Sequence, residues 1–299
     1  MPFSRVMAFF LVGCLLASSL ASCAGGTGQP SPDEASASFT IQNKGSDTLV
    51  NLALAWAELY TSAHPEVQIA VTGGGSGTGI AALINGTVHL ANSSRRIKPE
   101  EVELARANGI EPVEHVVAAD AIAVVVHPQN PVDRLTIPQL SAIFSGQIQN
   151  WRELGGEDRP IVLLSRETNS GTHVFFLEEV VRQGRKDDKT LFSPDTLLMP
   201  SSEGISSEIR RNPNAIGYDG LGYITPDQKV IAVAQDEVGP YVFPSAATVL
   251  DGSYPIARDL YMYTAGEPVG IVKEYLDWIR SPEAQKVVAD LGFVPIANP

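Results

Sequence analysis

Cysteine is nearly missing from this 299-residue chain, which has 2, Cys14 and Cys23. Once a leader is removed no disulfide remains, and the length supports adequate cores without one. Positive charge is scarce as well, with 21 Lys and Arg against 34 Asp and Glu and a formal net charge of −13. That balance argues against a nucleic-acid partner, because phosphate backbones demand clustered Lys and Arg. A small anion is still admissible, since distant carboxylates are screened beyond about 8 Å at physiological salt. Local dipoles and one or two arginines would have to hold it. The 5 histidines (His64, His89, His115, His127, His173) are scattered without metal-ligand spacing and read as surface or packing residues.

Nucleotide and nucleophile motifs are also lacking. Gly74 and Gly79 have P-loop spacing, but Ile80-Ala81 follows where Lys-Ser or Lys-Thr is required. Gly77-x-Gly79-x-x-Ala82 meets only the loosest dinucleotide pattern, and the next strand ends in Asn92 rather than an acid. Thr78 stands where a nucleophile elbow needs its second glycine. The apolar run Val6 to Leu20 falls short of the roughly 20 residues that span a bilayer, and suits a secretory h-region. Leu20-Ala21-Ser22-Cys23 then resembles a lipobox. The expectation is a leader over 1–22, lipid on Cys23 and a flexible tether over 23–38.

What is present is a motif written twice. Ser76-Gly77-Thr78 closes a glycine turn ahead of Ile80-Ala81-Ala82-Leu83-Ile84, and Ser170-Gly171-Thr172 precedes His173-Val174-Phe175-Phe176-Leu177. The first turns of a helix carry unpaired N–H groups and the positive end of the macrodipole. Glycine bares the backbone and Ser or Thr adds short hydroxyl donors, so each turn is an anion cradle. Gly45-Ser46-Asp47-Thr48 offers a third, and Asn92-Ser93-Ser94-Arg95-Arg96 a further polar turn. Arg166, at the end of a buried strand, can hold an oxyanion bidentately.

Periodicity predicts strands at 39–41, 67–71, 88–91, 121–126, 161–164, 215–218, 230–233 and 259–263. Helices are predicted over 49–60, 99–108, 136–144 (capped by Thr136), 269–280 and 282–290. The alternation indicates an α/β fold with ligands at the carboxyl ends of strands.

Taken in order, these segments resemble a family. Lys44-Gly45-Ser46-Asp47-Thr48, the Thr72–Gly79 turn with Leu83-Ile84-Asn85-Gly86, and Ser93-Ser94-Arg95 are similar to the phosphate-binding proteins of high-affinity phosphate ABC importers, the PstS family. Ile143-Phe144-Ser145-Gly146 with Asn150-Trp151, Arg166 with Ser170-Gly171-Thr172, Ile216-Gly217-Tyr218 and Tyr254-Pro255-Ile256 continue the match. The resemblance implies a two-lobed periplasmic-binding-protein (type II) fold, each lobe a mixed sheet flanked by helices. Lobe 1 would comprise 39–116 with 257–299 and lobe 2 would comprise 117–256, with crossovers near His115-Val116-Val117 and Pro255-Ile256-Ala257.

It also implies a lipid-anchored, extracytoplasmic, monomeric receptor, not an enzyme, that captures inorganic phosphate and delivers it to a permease without a cofactor. Ser46, Asp47, Thr48, Ser76, Gly77, Thr78, Ser94 and Arg95 would line one lobe. Arg166, Glu167, Ser170, Gly171 and Thr172 would close from the other. Better-known members place an aspartate near the position of Ser94, where it accepts the proton of hydrogen phosphate. In its absence Asp47 is the first substitute and Glu167 the second. The rival readings are a sulfate or molybdate receptor and a phosphoryl hydrolase.

Overall fold

The computed structural model describes residues 39–296. The expected leader, Cys23 and the tether lie outside the described residues. Helix α1 (Val50–Ala63) follows strand β1 (Phe39–Gly45) and buries the stripe Leu52, Ala53, Trp56, Ala57 and Tyr60, which recurs at helical spacing. Strand β2 (Val67–Thr72) runs into α2 (Ser76–Ile84), and β3 (Leu90–Ser93) precedes α3 (Pro99–Ala107). The long strand β4 (Pro112–Val126) leads to β5 (Arg134–Thr136) and α4 (Ile137–Phe144). Thr136 caps α4, its Oγ1 accepting the Gln139 N–H at 3.2 Å.

In the second half of the chain, β6 (Val162–Arg166) opens into α5 (Gly171–Phe176). Then come β7 (Leu197–Met199), α6 (Ser202–Arg211) and β8 (Ala215–Gly220). Two short strands, β9 (Lys229–Val230) and β10 (Ala232–Ala234), precede α7 (Ala246–Leu250). The chain closes with β11 (Ala257–Ala265), α8 (Gly270–Ile279) and α9 (Pro282–Asp290).

A mixed sheet in the order β2-β1-β3-β11-β4-β8-β6-β7 carries these elements, with β9 also on β4, while β10 and β5 pair separately. Strand β4 joins its two halves. Pro112 to Ala121 pair with β11, whereas Ile122 to Val126 pair with β8. Two main hydrophobic cores flank this change of partner. One gathers Ile41, Leu52, Trp56, Ala118, Leu260 and Ile279, and the other gathers Ile122, Leu140, Phe144, Phe176, Tyr218 and Ile256. Burial of each such large side chain contributes about 1.5–3 kcal/mol.

Most expected elements are found, several with longer bounds. The apolar run 121–126 is only the end of β4. The strand expected over 230–233 is corrected: it breaks at Ile231, leaving β9 on β4 and β10 on β5. The break there lets one apolar run serve two sheets.

At the change of partner β4 contributes Asp120, 0% exposed, and β11 contributes Arg258. The Arg258 Nη2 donates to Asp120 Oδ2 at 2.9 Å, and Nη1 donates to the Ser94 carbonyl at 3.0 Å. Burial pushes the Asp120 pKa up and the Arg258 pKa down, so each charge depends on the other. Removing one partner of such a pair typically costs about 3–5 kcal/mol, because the other is left buried alone. Asp120→Ala should therefore lower unfolding free energy by about that amount in urea melts. A loss below about 1 kcal/mol would show that solvent reaches the pair.

Candidate functional site

Four strands end in the segments singled out above. β1 delivers Ser46, Asp47 and Thr48; β2 delivers the glycine turn; β3 delivers Ser94; and β6 delivers Arg166 and the start of α5. The turn before α2 needs glycine at Gly75, whose φ is 91°. Behind α5, Phe176 stacks on Tyr218 with ring centroids 3.7 Å apart and meets Phe144 edge-on at 4.9 Å. That aromatic packing anchors the C-terminal end of α5 in the core.

The two Ser-Gly-Thr turns meet. Ser76 Oγ accepts the Ser94 N–H at 3.0 Å and lies 3.3 Å from Ser94 Oγ. Thr48 Oγ1 is 2.9 Å from Thr172 Oγ1. A Cβ on Gly171 would fall 2.3 Å from Ser76 Oγ and 2.6 Å from Ser94 Oγ, so only glycine lets these hydroxyls reach the α5 N-terminus. Gly77 donates its N–H to the Asn169 carbonyl at 3.0 Å, and Asn169 Nδ2 returns a bond to the Gly74 carbonyl at 2.9 Å. Ser46, Thr48, Ser76, Ser94, Ser170 and Thr172 are all buried. Ser170 spends its hydroxyl on capping α5, accepting from the N–H groups of Thr172 and His173 at 3.2 and 3.4 Å. Thr78 sits at the rim, donating to the Gly74 carbonyl at 2.5 Å.

Charge enters through Arg166, which is 2% exposed. Its Nε donates to the Met199 carbonyl at 3.3 Å and its Nη2 to the Pro200 carbonyl at 3.1 Å. Nη1 donates to Ser202 Oγ at 2.9 Å and lies 3.1 Å from Asp47 Oδ2. Asp47 Oδ2 also accepts the Ser202 N–H at 2.9 Å, and the Asp47 carbonyl accepts the Tyr223 hydroxyl at 2.8 Å. Asp47 and Arg166 are thus brought together as an ion pair beside the cradle.

Two predicted residues stand apart from it. Arg95 points into a pair with Glu101, at 2.8 and 2.7 Å. Burial would raise the Glu101 pKa, but the Arg95 hydrogen bonds and the Lys98 N–H hold it below the usual range. Glu167 is exposed; its backbone N–H donates to the Met199 carbonyl at 3.2 Å and its carbonyl accepts the Ser170 N–H at 2.9 Å. Among the described residues no group of three or more His, Cys, Asp or Glu could hold a metal ion.

Comparison with known proteins places the chain in a family. A family model described as the PBP superfamily domain matches residues 30–283. The phosphate-binding protein PstS of Bacillus subtilis is 36% identical over 267 residues, covering 89% of this chain and 83% of that protein. PstS of Pseudomonas aeruginosa is 33% identical over 276 residues, covering 87% and 84%. The chain belongs to the PstS family of the PBP superfamily. A Clostridium perfringens crystal structure, described as a putative phosphate ABC transporter substrate-binding protein with bound phosphate, shares the fold. Its TM-score is 0.77 at 30% identity, covering 86% of this chain and 100% of that one.

Sequence reasoning missed the buried polar residues behind the family's loops: Asp120, Arg258, Ser202, Tyr223 and Asp219. Asp120 and Asp219 each interrupt an apolar strand, and an acid inside a buried strand is itself a signal. Asp219 is 0% exposed; its Oδ1 accepts the Gly220 N–H at 2.9 Å, and its Oδ2 has no partner. Burial pushes its pKa up to about 7, opposed by Arg166 and by the neighbouring Ser202 hydroxyl, which lies close without completing a well-formed hydrogen bond.

Two outcomes follow from the geometry. Gly171→Ala should destabilise the protein by about 1–3 kcal/mol, the usual cost of overpacking, measured by denaturant melts. A neutral result would mean that the Ser76 and Ser94 hydroxyls yield freely. Asp219 binds its proton more tightly folded than unfolded, so its effect on stability declines as pH rises from about 4 towards about 7. Asp219→Asn should remove that decline, at most about 1.4 kcal/mol per pH unit, from a series of melts between pH 4.5 and 8. Parallel profiles for the two proteins would show that the carboxyl is already ionised throughout.

Proposed function

We propose that this protein is the receptor of a phosphate ABC importer, capturing inorganic phosphate between two lobes and handing it to the membrane permease. The observation that carries the reading is the meeting of the two Ser-Gly-Thr turns at Gly171, a point where the Ser76 and Ser94 hydroxyls abut the start of α5 while Thr48 reaches Thr172. Such a point suits a compact oxyanion: helix N-termini and short hydroxyls supply donors without a mobile cationic chain. The names of the relatives support phosphate as that anion. No covalent step is involved, so affinity and closure are the function.

We assign lobe 1 to 39–116 with 257–299 and lobe 2 to 117–256. The division of the two cores supports two lobes, although Val117, Ala118 and Tyr223 pack in the first core, and the change of partner within β4 supports a crossing close to Asp120. Contacts such as Thr48 to Thr172 and Asp47 to Arg166 then run from lobe to lobe, so a ligand that bridges them favours the closed arrangement. Extracytoplasmic placement, lipid on Cys23 and a tether over 23–38 complete the proposal; among the described residues no helix is long and apolar enough to cross a membrane.

For the proton of hydrogen phosphate, Asp47 is favoured over Glu167, because it lies beside the cradle while Glu167 is exposed. A carboxylate gains a hydrogen bond from a protonated oxygen and repels fully ionised sulfate. Calorimetric titration with phosphate, sulfate and molybdate should show tight binding of phosphate alone. Asp47→Asn should cut the phosphate-over-sulfate ratio by tenfold or more, about 1.4 kcal/mol. Failure to bind phosphate would overturn the receptor assignment, and unchanged selectivity would remove Asp47 from the acceptor role.

A further inference from the structure

Against the cradle lies a cluster of two guanidinium groups and three carboxyls: Arg166, Arg258, Asp120 and Asp219, all buried, and Asp47, half-buried beside the cradle. With every carboxyl ionised the cluster carries a net negative charge, which opposes an anion held just above it. Four members are accounted for by direct pairs, Arg166 with Asp47 at 3.1 Å and Arg258 with Asp120 at 2.9 Å. Asp219 is the one left over.

Its placement is specific. Parallel pairing sets Val162 against Ala215 and Leu163 against Ile216. Carried on by three residues, that register brings Arg166 level with Asp219 on the face that also bears Leu164 and Gly217. A Cβ on Gly217 would meet Leu164 Cβ at 3.4 Å, in keeping with the same register. On the next residue, a Cβ on Gly220 would lie 2.8 Å from Asp120 Oδ2 and 3.3 Å from the Thr48 methyl, so this corner of β8 touches the cradle wall. The charged and titratable groups around Asp219 are Arg166 from β6, Asp120 from β4, Arg258 from β11, and Tyr218 and Tyr223, with Asp47 beyond Arg166.

A carboxylate fully removed from water with one unpartnered oxygen is costly, whereas the neutral acid is not. Arg166 already has Asp47 as counter-ion, so a second permanent negative charge is not required to hold it.

We propose that Asp219 is a positioning residue that couples anion capture to proton uptake: neutral, it leaves the charge of Arg166 to the oxyanion, and ionised, it competes for that charge. An anion arriving in the cradle adds negative charge near the carboxyl and favours its protonated form. The ordinary range of the group, raised by burial to about 7, makes the exchange operate near neutral pH. A purely structural counter-ion would stay ionised and exchange no proton.

This rests on the receptor assignment, and the test separates the two. The full chain and its Asp219→Asn variant are titrated calorimetrically with inorganic phosphate at pH 7.5, in two buffers of different ionisation enthalpy. Phosphate's own protonation contributes equally to both proteins, so the difference isolates Asp219. The expected result is a larger proton uptake by the parent, and an affinity that falls more steeply from pH 6.5 to 8.5 than that of the variant. One linked proton allows at most a tenfold change per pH unit. A carboxyl-carbon NMR titration of the parent gives an independent reading, with Asp219 titrating near neutrality and shifting upward when phosphate is added. Tight binding with equal proton counts, or an Asp219 signal that titrates below pH 5 with and without phosphate, overturns this proposal alone. Absence of phosphate binding by both proteins overturns the receptor assignment and this proposal together.

Discussion

Everything about this site depends on one close approach, the contact of the α5 N-terminus at Gly171 with the hydroxyls of Ser76 and Ser94. A helix start offers N–H groups that the helix itself cannot use. Set against a second helix start and two serine hydroxyls, it gathers buried short polar groups that bond to one another, as Ser94 does to Ser76 and Gly77 to Asn169. The tight seat of α2 on β1 and β3 at Gly79 keeps that grouping in register. A single added methyl at Gly171 would intrude on both hydroxyls, so the geometry tolerates little slack.

The charge arrangement follows from the same burial. Arg166 has most of its donors committed to Met199, Pro200, Ser202 and Asp47. The field around it depends on the carboxyls nearby. Burial amplifies that dependence, since the same charges in water would be screened. The overall excess of acidic residues is irrelevant at this range.

Legibility of the fold was high where the chain follows a single local rule. The α1 stripe, the Thr136 cap and the buried run 121–126 each declare themselves by spacing or residue type. It failed where a rule was diluted. Helix α6 has a serine cap and Ile205 and Ile209 on one face, yet its polar majority hid a two-residue stripe. The run at 230–233 has strand character throughout, and only the competition between β4 and β5 for partners divides it. The cradle was legible because its residues are grouped in short loops. Arg95 and Glu167 sit in the same loops, and adjacency alone could not say which way each side chain turns.

The sequence by itself determined the α/β alternation and the grouping of short hydroxyl residues and glycines in the Ser-Gly-Thr turns, because each is encoded within a few neighbouring residues. Only the tertiary structure decided that the turns face one another, that Arg166 pairs with Asp47, and that Asp120, Arg258 and Asp219 lie behind the cradle. The physical reason is separation: these partners stand tens to more than a hundred residues apart, and strand order and register bring them together. Burial then supplies what no local pattern records, a low-dielectric setting in which the Asp219 carboxyl, with one oxygen unpartnered, lies near Arg166.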